Sequence, residues 1–472
     1  MPVSRRFVNR TSELATLAAW AASPGSSMCV VWGRKRVGKT WLVDRFTEDR
    51  RAFRHTCRPG SHLTELKAIS EKAAQVIPLP RRSLVESPFE SWRDAFGTLA
   101  AASAGEALIV VLDEFPELLR SVPAFDKDLR ALWDEVVSDG TSELKLVLCG
   151  SAVSTMEAIQ AENAPLYGRS DLRLLLQPFK PHEAALMLKD LEPSARAEAW
   201  GVCGGIPRFL ALWDASEPFK GNLERLVANE HGLLLSEGDL ILGDEEVVGH
   251  RTQHLPEQVL RTIASGSTSF AAIRSKVSGL PIRTLDHLCE VRLIERVTPV
   301  TEDPAKTKLS YYRIADNFLA FWLTCVEPHR EPIEAGLGRT VLNVIVKEFA
   351  DFMGPRYEQA FRQHLRRMAH DGRFGEEVVD VGEWWRLQAG PNDDPCQLDG
   401  VVLSGRRREP IVVGESKWAR RANGSSLAGT MKRKLLESAL VDPSLVSFVV
   451  AARNEVTRAE GVFQVTAADI FT

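Results

Sequence analysis

The sequence predicts an α/β fold for the N-terminal part of the chain, followed by further domains. Apolar runs of strand length at Met28–Trp32, Ala107–Leu112 and Leu144–Gly150 alternate with segments of helical periodicity. Such alternation is typical of a parallel sheet with helices on both faces. A chain of 472 residues is too long for one core, so we expect about three domains of ordinary size.

The first strand leads into Gly33-Arg-Lys-Arg-Val-Gly-Lys-Thr40, which matches the phosphate-binding pattern G-x-x-x-x-G-K-[ST] at each specified position. Apolar residues at helical spacing follow, so the motif lies at a strand-to-helix turn. Gly33 and Gly38 would let backbone N–H groups converge on phosphate oxygens. Lys39 would reach the β- and γ-phosphates, and the Thr40 hydroxyl would ligate Mg²⁺. The motif predicts bound ATP with Mg²⁺; a glycine-rich basic turn is the alternative.

The second strand ends in two carboxylates, Asp113 and Glu114, at what would be the ligand-bearing edge of a parallel sheet. This pattern matches a Walker B element. Asp113 would hold Mg²⁺, and Glu114 would orient and deprotonate the attacking water. The alternative is an acidic N-cap of the helix that follows.

Two further polar residues complete the predicted ATPase site. The third strand ends at Ser151, where a small polar side chain could contact the γ-phosphate. Arg169 is the best candidate for an arginine finger, because a guanidinium can neutralise charge that develops on the γ-phosphate. A surface arginine in a loop is the alternative, and action on its own nucleotide or a neighbour's is left open.

These segments fall in the order seen in a prokaryotic ATPase family, in which an AAA-like module precedes a winged helix and a C-terminal nuclease-like domain. The resemblance includes Phe7-Val-Asn-Arg10, the two motifs above, Pro165-Leu-Tyr-Gly-Arg169 and Gly204-Gly-Ile-Pro207. It implies an ATPase core at 1–180, a helical lid at 181–250, a sensor 1 role for Ser151, and an N-terminal segment beside the adenine. Asn9 and Thr11 replace the glycine and glutamate usual in that segment.

Residues 251–315 contain three short helical patterns and two β-prone stretches, which is the order of a winged helix. We expect the exposed positions of the third helix to face a major groove and the wing lysines to lie near phosphate. These positions are Arg283, Thr284 and His287 on the helix and Lys306 and Lys308 on the wing. Winged helices also serve as packing modules, so DNA contact is a hypothesis.

The C-terminal part, residues 316–472, has two short β-patterns that would pair as a hairpin. The pairing sets Asp399 opposite Glu415, and Lys417 projects from the same strand face as Glu415. Two carboxylates and an amine at the end of a sheet can hold Mg²⁺ for phosphodiester hydrolysis, with Asp399 and Glu415 as ligands and Lys417 positioning the hydroxide. A polar hairpin face with a surface salt bridge is the alternative.

This spacing resembles the PD-(D/E)xK nuclease motif, although Gln397-Leu398 precedes the aspartate where proline is usual. The resemblance implies a restriction-endonuclease-like α/β domain and assigns Glu358 to the upstream helical glutamate of that superfamily. We expect basic residues to surround the site and to bind DNA phosphates. They are Arg406, Arg407, Arg408, Arg420, Arg421, Lys432, Arg433 and Lys434.

Composition limits the classes of function. With a net charge of -4 and a pI near 6.3, DNA contact would depend on local basic patches. The seven cysteines form no C-x-x-C pair and there is no H-E-x-x-H, which predicts reduced thiols and no zinc site. The absence of a long apolar window predicts a cytoplasmic protein with no membrane partner.

The sequence as a whole predicts an ATP-hydrolysing protein that acts on DNA with a Mg²⁺-dependent nuclease domain; a homo-oligomer remains open. The alternative is a nucleotide-switched DNA-binding or signalling ATPase whose nuclease-like domain is non-catalytic.

Overall fold

The structure, a computed structural model, describes residues 7–80, 82–244, 254–375, 377–387, 396–458 and 460–472. These residues form two compact units that divide between Gln177 and Pro178, close to the core boundary predicted at residue 180. No helix in these ranges combines the length and the apolar character needed to cross a bilayer.

The N-terminal unit is built on a five-stranded sheet in the order β2-β3-β4-β1-β5, and all neighbouring strands are parallel. The prediction of an α/β fold with a parallel sheet is therefore confirmed. The carboxyl ends of the strands meet at one edge, where loops collect polar groups. The strands are β1 Ser27–Trp32, β2 Ala52–Thr56, β3 Leu108–Asp113, β4 Leu144–Gly150 and β5 Leu172–Leu175.

Helices cover both faces of this sheet. Alternate side chains of β1 enter different apolar clusters, because successive strand residues point to opposite faces: Met28 and Val30 lie in one cluster, and Cys29 and Val31 in the other. The helices are α1 Thr11–Ala21, α2 Lys39–Thr47, α3 His62–Ala73, α4 Trp92–Ala102, α5 Phe115–Ser121, α6 Phe125–Asp139 and α7 Val153–Ala158.

The second unit begins with short helices in the region predicted as a lid, and these pack into one hydrophobic core with the segments that follow. The helices are α8 Pro181–Ala185, α9 Pro193–Cys203, α10 Pro207–Leu210, α11 Phe219–Leu226 and α12 Glu237–Leu242. Part of the predicted lid and the start of the predicted middle domain, residues 245–253, lie outside the described residues.

The middle region has three helices and an antiparallel pair of strands close to the predicted ranges. They are α13 Leu255–Ala264, α14 Phe270–Lys276, α15 Ile282–Glu290, β6 Ile294–Val297 and β7 Tyr311–Ile314. One expectation is wrong: Thr284 is buried and not exposed, because α15 packs its Thr284, Leu285 and Leu288 face inward. Arg283 is exposed as predicted, and His287 is half-buried.

The C-terminal region surrounds a second five-stranded sheet in the order β14-β12-β10-β9-β8. Strand β9 is antiparallel to its two neighbours, β8 and β10, and β10, β12 and β14 are parallel. The strands are β8 Val378–Trp385, β9 Gln397–Ser404, β10 Glu409–Lys417, β11 Arg421–Asn423, β12 Ser447–Ala452, β13 Glu455–Thr457 and β14 Phe463–Thr466. The helices are α16 Asn317–Phe321, α17 Arg330–Pro332, α18 Gly338–His370, α19 Gly424–Ser438 and α20 Ala467–Ile470, with π-helical segments at Trp322–Val326 and Ile333–Leu337.

Two glycines let the long helix α18 approach this sheet closely. A Cβ atom at Gly400 would lie 2.6 Å from the Leu365 side chain, and one at Gly414 would lie 2.6 Å from the Phe361 ring. Gly400 and Gly414 are register partners on β9 and β10. The helix that carries Glu358 is therefore packed directly on the strands that carry Asp399 and Glu415.

Candidate nucleotide and metal sites

The glycines of the phosphate-binding pattern are required by backbone geometry. Gly33 has φ 152°, and a Cβ atom there would lie only 2.3 Å from the Leu176 carbonyl oxygen. Gly38, with φ 97°, immediately precedes α2. Both conformations are open to glycine and closed to most other residues. The loop thus places the N-terminal N–H groups of α2 at the carboxyl end of β1.

Lys39 is buried at the first position of α2, and its side chain lies inside the loop. Its Nζ donates to the carbonyl oxygens of Gly33 at 2.7 Å and Arg34 at 3.0 Å. Burial lowers the pKa of Lys39, since charge is costly away from water. An anionic phosphate at the loop would supply a counter-charge to this amine.

The two acidic residues lie at the same edge of the sheet, at the end of β3. Asp113 is buried, with 3% of its surface exposed. Glu114 has φ 52°, and its Oε2 accepts hydrogen bonds from the Ser151 hydroxyl at 2.8 Å and the Ser151 N–H at 3.2 Å. Ser151, predicted to contact the γ-phosphate, thus donates hydrogen bonds to Glu114, the predicted catalytic base.

Sequence reasoning missed Arg54 on β2. Its Nη1 lies 2.9 Å from Asp113 Oδ2, and its Nε lies 3.0 Å from Asp44 Oδ1 on α2. The guanidinium therefore joins α2 to the Asp113 carboxylate, at the position where Mg²⁺ binding is predicted. The sequence carries no local signal for this pair, because it depends on β2 lying beside β3.

Arg10 was also missed, although it belongs to the quoted N-terminal segment. It is buried, and its Nη2 donates to the carbonyl oxygens of Val37 at 3.1 Å and Gln177 at 2.7 Å. Asn9 and Arg10 both have positive φ, 64° and 60°, a conformation that costs free energy for residues other than glycine. This segment is thus fastened to the phosphate loop through Arg10.

Arg169 lies away from the other predicted site residues of its unit. It precedes β5 and forms a bidentate ion pair with Asp134, at 2.7 and 3.1 Å. The neighbouring Asp171 N–H donates to the Met28 carbonyl at 2.8 Å, which places this loop at the amino end of β1. The six residues of β1 separate that end from the phosphate loop by about 20 Å.

In the C-terminal unit, the predicted hairpin places Asp399 and Glu415 across from each other. Gly400 pairs with Gly414, so the residues beside them, Asp399 and Glu415, are neighbours on β9 and β10. Both carboxylates are buried, at 5% and 3% exposure. Burying two carboxylates side by side is costly unless a cation or a proton compensates them.

The pKa values of Asp399 and Glu358 reflect the free-energy cost of burying these carboxylates. Burial raises the pKa of Asp399 to about 8, and the charges of Glu415 and Glu358 add to the rise. The Ser416 N–H, 2.8 Å from Asp399 Oδ2, opposes it. Burial also raises the pKa of Glu358, and Glu383 and Glu415 contribute. The predicted helical glutamate is therefore electrostatically coupled to the hairpin carboxylates.

Two lysines face Glu415. Lys417 Nζ lies 3.3 Å from Glu415 Oε2, and the Lys417 side chain is 48% exposed. Partial burial lowers the pKa of Lys417, but the carboxylates of Asp399 and Glu415 outweigh it and the net change is a rise. Lys434, predicted as a phosphate contact, instead extends from α19 to Glu415 Oε1 and donates to the Gln397 carbonyl at 2.6 Å.

The expectation that Arg406, Arg407 and Arg408 surround this site is wrong. They lie in the turn between β9 and β10, at the opposite end of the hairpin from Asp399. The five residue-to-residue steps from Asp399 to Ser404 correspond to about 17 Å of strand. Arg408 contacts Asp380 at 2.6 Å. The exposed basic residues nearer the site follow β10 or lie on α19: Arg420, Arg421, Lys432 and Arg433.

Comparisons with known proteins identify two family matches. Residues 7–212 match an ATPase domain predominantly from Archaea. Residues 322–427 match a family described as archaeal and bacterial proteins of unknown function. An uncharacterized protein of Methanocaldococcus jannaschii is 26% identical over 423 residues, which covers 87% of each chain.

Two solved structures are similar to this chain. The Walker-type ATPase of Pyrococcus abyssi has a TM-score of 0.53 at 22% identity, covering 68% of this chain and 99% of that chain. The ORC2 protein of Aeropyrum pernix has a TM-score of 0.41 at 16% identity, covering 73% and 98%. The predicted order of an ATPase module and a distinct C-terminal region is confirmed, and the winged-helix and nuclease assignments stay predictions. Residues 7–212 are thus similar to an ATPase domain predominantly from Archaea, and over 68% of its length the chain shares its fold with the Walker-type ATPase of Pyrococcus abyssi.

Proposed function

We propose that the N-terminal unit binds ATP with Mg²⁺ and hydrolyses it. The observation that carries the proposal is the buried Lys39 amine inside a glycine-dependent loop, at the same sheet edge as Asp113 and Glu114. Phosphoryl transfer needs mainly positioning and charge stabilisation, and these groups supply both. Lys39 neutralises phosphate charge, and Glu114, held by Ser151, accepts a proton from the attacking water.

The oxygen donors at this edge fit Mg²⁺, which prefers hydroxyl and carboxylate ligands. Thr40 follows Lys39 on α2, and Asp113 lies at the end of β3. When bound, the ion supplies positive charge to the phosphates. The Arg54 guanidinium lies on one carboxylate oxygen of Asp113 and competes with a bound ion for the charge of that carboxylate.

We propose that Arg169 acts on the nucleotide of a second copy of this chain. Its loop lies at the amino ends of the strands, too far from its own phosphate loop. Mixing two inactive variants, Arg169→Ala and Lys39→Ala, tests this. The Lys39→Ala chain keeps Arg169 and can supply it to the intact phosphate loop of the Arg169→Ala chain. ATP turnover should therefore reappear in the mixture. Full activity of Arg169→Ala alone would exclude the role.

We propose that the C-terminal unit is a Mg²⁺-dependent nuclease acting on DNA. Support comes from three buried or partly buried acids, Glu358, Asp399 and Glu415, with Lys417 at the rim. Burial and the neighbouring carboxylates raise the pKa of Asp399, and a divalent cation held by Asp399 and Glu415 would offset both effects. Lys417 would orient the attacking water or hydroxide near the phosphodiester.

DNA phosphates would contact exposed basic residues near this site and in the middle region. Arg420, Arg421, Lys432 and Arg433 lie near the site, and Arg283, Lys306 and Lys308 lie on α15 and the loop between β6 and β7. If these contacts form, the logarithm of the binding constant for duplex DNA should fall linearly with the logarithm of the salt concentration. A salt titration without a slope would exclude them.

A nucleotide-switched DNA-binding or signalling role, with a non-catalytic C-terminal unit, is favoured by one observation. Lys417 and Lys434 both contact Glu415. Two lysines can neutralise the Glu415 carboxylate without a metal ion. This arrangement would be expected in a domain that binds nucleic acid or a protein partner without cleaving it.

Cleavage assays on supercoiled and linear duplex DNA, with Mg²⁺ or EDTA and with or without ATP, separate the two functions. The nuclease proposal predicts Mg²⁺-dependent cleavage that falls at least about 100-fold in Lys417→Ala, the usual scale for removing a group that assists proton transfer. Lys347→Ala, an exposed lysine on α18, is the matched control. Salt-dependent binding without cleavage under any condition would instead support the switch.

A further inference from the structure

A cluster of metal-ligating side chains lies beside the ATPase site, and the function proposed above uses none of them. His55 and Cys57 at the end of β2 and Glu65 on α3 each bring a ligand atom within 4.8 Å of the other two. His55 and Cys57 are two residues apart, so they project from the same face of the strand. All three are buried, at 5%, 2% and 3% exposure.

The donor set identifies the class of ion. Imidazole, thiolate and carboxylate together suit Zn²⁺, whereas Mg²⁺ prefers oxygen donors alone. The His55 ring nitrogen Nε2 lies 2.6 Å from Glu65 Oε2, so a nitrogen donor and an oxygen donor already meet at one point of the cluster.

We propose that His55, Cys57 and Glu65 bind one Zn²⁺ ion. The sequence expectation of no zinc site depended on closely spaced motifs, and it missed this set because Glu65 comes from the helix after the strand. Three protein ligands leave a fourth position for water in the tetrahedral geometry that Zn²⁺ adopts. The Cys57 thiol loses its proton to solvent when the metal–sulfur bond forms.

The position of the cluster links it to ATP hydrolysis. The Cys57 N–H donates to the Asp113 carbonyl at 2.8 Å, and Arg54, the ion-pair partner of Asp113, precedes His55 on β2. A bound ion would fix the end of β2 against α3 and so restrain both groups that contact the Walker B aspartate.

The test uses the full chain, stripped with EDTA and without nucleotide, so that its result does not depend on ATPase activity. Co²⁺ serves as a probe, because a cobalt–thiolate bond gives a charge-transfer band in the near ultraviolet. We expect one Co²⁺ per chain with this band, displaced by one equivalent of Zn²⁺ and unaffected by Mg²⁺. Metal content after dialysis against Zn²⁺ gives the stoichiometry independently.

Cys57→Ser should abolish the band and weaken Zn²⁺ binding at least about tenfold, on the scale of lost metal-site interactions. Cys289→Ser, which removes a half-buried thiol from the other unit, should retain both. Glu65→Gln, which can keep a hydrogen bond to His55, provides a second variant if Cys57→Ser fails to fold. A wild-type chain without the band, or equal metal binding by the wild type and either site variant, would overturn the proposal.

Discussion

Replacement of Asp399 by Asn should stabilise the metal-free C-terminal unit, and the gain should grow as pH rises. Asn has nearly the shape of Asp, and its side-chain oxygen can accept the Ser416 N–H hydrogen bond that measures 2.8 Å in the wild type. The substitution therefore removes a buried titratable carboxyl group while leaving the packing of β9 and β10 intact.

The magnitude follows from the pKa of Asp399, which rises from 3.8 to about 8 because of burial and the charges of Glu415 and Glu358. Between these two pH values the unfolded chain has released the proton and the folded chain retains it, so wild-type stability falls as pH rises. Each pH unit costs about 1.4 kcal/mol, which gives about 2 kcal/mol at pH 5 and about 5 kcal/mol at pH 8. Because Asp399 shares its proton with the neighbouring acids, both stability gains will be smaller than these figures. The test is therefore whether the gain in stability of Asp399→Asn increases from pH 5 to pH 8.

The assay is hydrogen exchange of peptides from β9 and β10 as a function of urea, in EDTA, at pH 5 and pH 8. Asp351→Asn on the exposed face of α18 is the matched control and should change neither value. Mg²⁺ should stabilise the wild type and not Asp399→Asn. The reasoning is refuted if Asp399→Asn is no more stable than the wild type at pH 8, or if its gain is equal at the two pH values.

Three further predictions concern the ATPase unit. Ser151→Ala removes the hydroxyl hydrogen bond to Glu114, the predicted base. The kcat for ATP should therefore fall about 10-fold to 100-fold, with nucleotide affinity unchanged. A weaker nucleotide affinity at unchanged kcat would contradict this role. Arg54→Ala removes the guanidinium that contacts the Asp113 carboxylate. The Mg²⁺ concentration for half-maximal turnover should therefore fall about tenfold, the equivalent of about 1.4 kcal/mol. A rise in that concentration would show that the guanidinium assists Mg²⁺ binding. Gly33→Ala forces a Cβ atom against a carbonyl oxygen and should weaken binding of a fluorescent ATP analogue by about 1–3 kcal/mol, the scale of backbone strain. Gly60→Ala, whose Cβ atom would lie 4.0 Å from its nearest neighbours, should bind normally.

Patterns that depend on neighbouring residues could be predicted from the sequence. The strands β1, β3 and β4 were predicted because continuous apolar runs are a local property of buried strands. The position of Asp399 opposite Glu415 was predicted because a short hairpin turn fixes register.

Features that depend on packing between distant segments could not be predicted. The Arg54–Asp113 pair requires the strand order β2-β3, and the contact of Lys434 with Glu415 requires α19 to pack on β10. Thr284 was misassigned because the periodicity of a short helix leaves its rotation uncertain by one residue position.

The most direct test of ATP hydrolysis at the predicted site is turnover by Glu114→Gln, with ATP binding measured in parallel. The side chain keeps its size and can still accept the Ser151 hydroxyl hydrogen bond of 2.8 Å, but it no longer accepts a proton. We predict wild-type affinity for Mg²⁺·ATP and turnover at least about 100-fold slower. Turnover by Glu114→Gln at the wild-type rate would contradict the assignment of this residue as the base, and with it the proposed site of hydrolysis.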